Sequence, residues 1–127
     1  MIFPLEHLQG LHANLLFTIL LVFLVIIFWS LISYLRKIPI SEHIRVLLII
    51  GELLILSTFV IGIILWTGSL RPGRPEAHIM YAIVALIGPL VMLADLHRQE
   101  GRSAQLRLML GAVFMCAIVL RALVTGR

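Results

Sequence analysis

Four long apolar runs fill this chain and leave almost nothing for other structure. Leu11 to Leu35 carries no charge until Arg36, and Val46 to Leu70 is interrupted only by Glu52. His78 to Ala94 is closed by Asp95, and Leu108 to Val124 carries Arg121 near its end. A bilayer core takes roughly 20 apolar residues per helix, so each run is long enough, or nearly so, to cross one. The composition agrees: 61% of the 127 residues are hydrophobic and 13% charged, with a mean hydropathy of +1.13. A soluble domain has about 45–50% apolar and about 25% charged residues. Disorder requires the opposite bias. The expected fold is all-α: a single-domain integral membrane four-helix bundle with up-down-up-down topology. Its spans are expected at about 11–35, 46–70, 77–95 and 106–124.

The breaks between runs carry helix-end chemistry. Pro39 and Ser41 separate the first two, with Ser41 suited to cap the second helix. Arg71-Pro72-Gly73-Arg74-Pro75 separates the second from the third, and Pro75 suits a first-turn position where its missing N–H costs nothing. Gly101 and Ser103 separate the third from the fourth. The first run is read as a retained helix. A signal peptide needs a basic n-region, but no Lys or Arg precedes Arg36, and the run is too long for one. The single cysteine, Cys116, excludes an internal disulfide, a CxxCH haem attachment and cysteine-rich zinc sites.

The ten basic residues give a net charge of +4. They lie in short gaps between apolar runs, so they read as topology signals, and no nucleic-acid partner is expected. None precedes Arg36, and Arg36, Lys37 and Arg45 follow the first span. The positive-inside rule then places both termini outside the cytoplasm, and the setting points to a bacterial inner membrane.

Polar residues in so apolar a chain are the informative ones. His12 sits about one turn into span one, and His78 opens span three. These helices run in the same direction, so the two imidazoles share a depth. In an up-down bundle they are diagonal partners. Two imidazoles facing each other across a core can take both axial positions of a haem iron. Taken singly, each is an interfacial histidine; as a pair, both readings stand. Arg121 lies at the same level on span four, where it could snorkel to headgroups or bind haem propionates by its bidentate fork. Arg71 and Arg74 share that side and read chiefly as a solvated link. The expected site is therefore His12 and His78 as metal ligands, with Arg121, Arg71 and Arg74 around the cofactor.

Other features have bland readings. Glu52, the acid well inside a span, reads as a packed residue, neutral or paired with His43 or Arg45. Gly51 and Gly62 lie eleven apart on nearly one helix face, which allows a helix or a flat macrocycle to approach. Gly88-Pro89 predicts a kink in span three. Trp29 and Trp66 suit opposite interfacial belts. Phe17, Met80 and Tyr81 neighbour the two histidines in sequence; they could line a haem pocket, though such spacing is more often core or lipid-facing.

The segment Gly62-Ile63-Ile64-Leu65-Trp66-Thr67-Gly68, followed by a Pro-bearing link and His78, resembles one half of haem A synthase. Leu11-His12-Ala13 at the start of an earlier helix fits the same half. The general layout also resembles small four-helix membrane cytochromes b. The resemblance covers about spans one to three. It implies a four-helix unit that supplies two histidines from the outer ends of parallel helices to one haem. The chain departs from the synthase where that family has an acid three residues before the first ligand and an Arg directly after it. Here Gln9 and Ala13 stand at those positions, which argues against oxygenation of a haem methyl group.

The expected function is a membrane cytochrome b-like subunit. It would bind one non-covalent b-type haem and pass electrons to a membrane or extracytoplasmic redox partner while contacting lipid. The rival is a cofactor-free structural or assembly subunit of a larger respiratory or photosynthetic complex. A transporter has little support, with one intramembrane acid and no inverted repeat. No nucleophile-base pair or HExxH motif indicates an enzyme acting alone.

Overall fold

The computed structural model describes residues 5–40, 42–68, 75–98 and 102–125. They form four helices: α1 (Leu5–Leu35), α2 (Glu42–Thr67), α3 (Pro75–Arg98) and α4 (Arg102–Thr125). All four are long and apolar enough to cross a membrane, and the chain is a multi-pass membrane protein. Its outer faces present Phe28, Leu53, Val91 and Leu110 among many exposed apolar side chains, which the bilayer covers.

Each helix begins before its apolar run. α1 begins at Leu5, six residues before the run at Leu11, and takes in Glu6, His7 and Gln9. Hydropathy marks only the part that sits in hydrocarbon, whereas a helix continues as long as its backbone bonds do. Its 31 residues span about 46 Å, against a hydrocarbon core of about 30 Å. α2 starts at Glu42 and ends at Thr67, where the Gly68 N–H closes the last turn onto the Ile64 carbonyl at 3.0 Å. The expected end of span two at Leu70 and the Ser41 cap lie outside the described residues. α3 opens on Pro75, in the first helical position.

α1 terminates without glycine. Ile38 N–H reaches the Ser33 carbonyl at 3.1 Å and Lys37 N–H reaches the Tyr34 carbonyl at 3.2 Å. This paired closure needs a left-handed residue between helix and link. Lys37 supplies it with φ 58°, at a steric cost that a glycine would avoid.

The helices form a closed ring. α1 packs on α2 and α4, α3 packs on α2 and α4, and among the described residues the backbones of neither diagonal pair come close, so only side chains reach across the interior. The core runs down the middle through Ile19, Phe23, Ile26, Leu48, Leu96, Met115 and Val119. Glycines set the register of two seams. On α2, Gly51 faces Phe23 and Gly62 faces His12, so the large partners on α1 repeat the same eleven-residue spacing. Between α3 and α4, Met115 lies on Gly88 and Met92 lies on Gly111.

One end of the bundle is tied by polar contacts. Arg45 Nη2 donates to the Leu96 carbonyl at 3.3 Å, one of the last four carbonyls of α3, which lack intrahelical donors. Gln105, almost fully buried, donates to the Ile38 carbonyl of the α1–α2 link at 2.6 Å. Arg107 Nε donates to both Asp95 oxygens at 3.2 and 3.0 Å. Trp29 stacks on His43 with ring centroids 5.6 Å apart. The candidate site is at the other end.

Candidate functional site

His12 lies seven residues into α1 and His78 three residues into α3. The longer start of α1 compensates, and both rings reach one level. Their centroids are 6.1 Å apart and their planes are inclined by 57°. Both side chains are half-buried. The two helices are diagonal partners, so the rings meet across the bundle interior.

Each ring is anchored to a different neighbouring helix. His12 Nδ1 lies 3.1 Å from the Thr58 carbonyl of α2. His78 is hydrogen-bonded to the backbone of Ala122 on α4. The Ala122 carbonyl is within the last turn of α4, where carbonyls have no intrahelical donor. Metal-ligating histidines characteristically give their second ring nitrogen to such a backbone carbonyl, which fixes the ring and raises the basicity of the free nitrogen.

The rings form the inner wall of a cavity of about 470 Å³. That volume is in the range of about 300–1,000 Å³ seen for ligand pockets. Every helix contributes a small residue to its wall: Ala13 from α1, Gly62 from α2, Ala82 from α3 and Ala122 from α4. Phe17, Phe59, Ile63 and Trp66 supply apolar bulk, and Gln9 and Thr67 are the polar rim. From Gln9 to Phe17 the α1 wall runs about 12 Å along the helix. Phe17 and Ile63 are exposed on the outer surface, so the cavity follows the α1–α2 seam and reaches the lipid-facing side. A second, smaller space of about 40 Å³ lies against the same two rings and the deeper residues Ile19, Ile55 and Ala85.

The other expected site residues are placed differently. Arg121 is exposed, with its guanidinium carbon 5.9 Å from the centre of the Tyr81 ring. It does not line the cavity, although the next two residues, Ala122 and Leu123, do. Arg71 and Arg74 lie outside the described residues. Phe17 lines the cavity, Met80 is exposed and Tyr81 carries Arg121. The expected pairing of Glu52 with His43 or Arg45 is not what these residues make: His43 stacks on Trp29, Arg45 reaches Glu42 at 3.6 Å and the Leu96 carbonyl, and Glu52 Oε2 is buried without a hydrogen-bond partner among the described residues.

Residue patterns did not single out Thr58, Phe59 or Ala122. Thr58 and Ala122 contribute backbone carbonyls, which residue identity does not mark. Among the described residues no group of three or more His, Cys, Asp or Glu side chains could hold a metal ion. Two opposed imidazoles are one set that can hold an ion whose remaining positions a macrocycle fills. No family model, curated protein or solved structure matches the chain.

Proposed function

We propose that this chain is a membrane cytochrome b-like subunit that holds one non-covalent b-type haem between His12 and His78 and takes part in electron transfer. The observation that carries the reading is the imidazole pair at the wall of the cavity. Two metal–nitrogen bonds of about 2 Å, with about 1 Å of ring on each side, make a centroid separation of about 6 Å. The rings stand 6.1 Å apart. The small residues around them leave room for a flat group, and each ring is anchored to the backbone of a neighbouring helix. Phe59, Ile63 and Trp66 would exclude water from its faces.

Bound there, the haem would supply a one-electron couple. With His12 and His78 both holding it, the site would carry electrons and not bind oxygen. Arg121, Arg71 and Arg74 are assigned to the propionates on charge and chain position alone. The site end is assigned to the extracytoplasmic side of a bacterial inner membrane, together with both termini. A single haem near one face does not carry electrons across the bilayer, so a membrane or extracytoplasmic redox partner completes the path.

The test is optical. The purified protein, produced with adequate haem supply, is expected to show a Soret band that sharpens on reduction, with one haem per chain. His12→Ala and His78→Ala should each abolish the six-coordinate spectrum, and carbon monoxide should leave the reduced wild type unchanged. A wild type without a Soret band would remove the haem and favour a cofactor-free subunit of a larger complex. A carbon monoxide adduct would show an open position and reject bis-histidine ligation.

A further inference from the structure

We infer that Gly62 is a positioning residue: by leaving the Thr58 carbonyl open, it fixes His12 as the Nδ1–H tautomer with Nε2 free. The structural part of this inference concerns the protein without any cofactor. Its consequence for ligand affinity rests on the haem reading above.

A helical carbonyl points along the axis towards the residue four positions on, and it already accepts that residue's N–H. The side chain at that position stands beside the carbonyl and restricts a second donor. Gly62 is four residues after Thr58, in the position where a Cβ would stand in the way. A methyl built on Gly62 would lie 3.3 Å from His12 Cε1 and 4.0 Å from Nδ1. That is tighter than an ordinary contact, so the ring would have to give by a few tenths of an ångström, which would disturb its 3.1 Å contact with the Thr58 carbonyl. Glycine lets the ring lie against α2.

The chemistry of the contact then decides the proton. A backbone carbonyl only accepts, so Nδ1 must carry the hydrogen and Nε2 the lone pair. His12 is thus prepared as a ligand through Nε2 before anything binds. His78 is held separately on α4, and the two rings are inclined by 57°.

The cofactor-free wild type, labelled with 15N-histidine, gives the first readout. The neutral His12 ring is expected to show a protonated Nδ1 and a bare Nε2, and Gly62→Ala should lose that preference. An Nε2–H tautomer in the wild type overturns the inference whether or not haem binds. The second readout uses haem-loaded protein. Gly62→Ala should retain its helical circular dichroism, lose about 10–100-fold in haem affinity, and shift both the midpoint potential and the ferric low-spin paramagnetic signal. Gly51→Ala is the control, because a methyl there meets Phe23 at an ordinary 3.4 Å on the same face of the same helix. Equal losses in both variants, or no change in folded Gly62→Ala, would reject the inference. A wild type that binds no haem rejects the haem reading alone and leaves the tautomer measurement standing.

Discussion

Glu52 is half-buried within α2, and its Oε2 is buried without a hydrogen-bond partner among the described residues. A polar atom in that position costs free energy that an apolar side chain of similar size would recover. Glu52→Leu is therefore expected to stabilise the protein by about 1–3 kcal/mol, measured by thermal unfolding in detergent. Glu52→Gln should leave any haem spectrum unchanged. A large loss of stability in the Leu variant, or a shifted spectrum in the Gln variant, would give the acid a role that its surroundings do not show. At this scale the sequence marked side chains well and their aims poorly. The shared depth of His12 and His78 followed from helix direction and distance from the helix start. Arg121 did not follow, because a long side chain at the helix surface has several partners within reach, and here it lies over Tyr81. The carbonyls of Thr58 and Ala122 could not be read at all, since every residue has one.

Between α3 and α4 the register is held by two reciprocal contacts. Met115, almost fully buried, lies on Gly88, and Met92 lies on Gly111 with its Cγ 3.3 Å from where a methyl would stand. In a membrane, close helix contact depends on such packing, because lipid tails offer the same apolar environment as another helix. A methyl on Gly88 would overlap Met115 Sδ, so that buried side chain would have to move. Gly88→Ala should destabilise by about 1–3 kcal/mol as an overpacked interface does, and the double variant with Met115→Ala should recover part of the loss. Unfolding in detergent measures both. Equal stability of Gly88→Ala and wild type would mean that the helices slide at no cost and that glycine does not set this seam. The runs of apolar residues located all four elements, because hydrocarbon thickness sets a length that hydropathy reports. Their ends were less legible. Glu42, Arg45 and Arg102 belong to helices, yet each is charged and reads as link.

The two ends of the bundle differ in character. One carries Arg36, Lys37, Arg45, Arg98, Arg102 and Arg107 on or beside its links, and polar contacts close it through Arg45–Leu96, Gln105–Ile38 and Arg107–Asp95. The other carries the two histidines and the cavity that opens along the α1–α2 seam. Orientation follows the count of Lys and Arg near the helix ends, not net charge, so the pairing of Arg107 with Asp95 does not cancel its vote. Under the orientation proposed above, the closed end would be cytoplasmic and the cavity end would face outwards. That placement limits the function proposed: a cofactor near the outer face can exchange electrons with an extracytoplasmic protein or with a partner in the outer leaflet. Two single-cysteine proteins in a Cys116→Ser background test the placement. Glu76→Cys reports the cavity end from the first turn of α3, and Pro39→Cys reports the link between α1 and α2; both positions are exposed. In intact cells an impermeant thiol reagent is expected to label Glu76→Cys and to reach Pro39→Cys only after lysis. The reverse pattern would turn the molecule over. The imidazole pair would then face the cytoplasm, and the electron partner would have to be sought there.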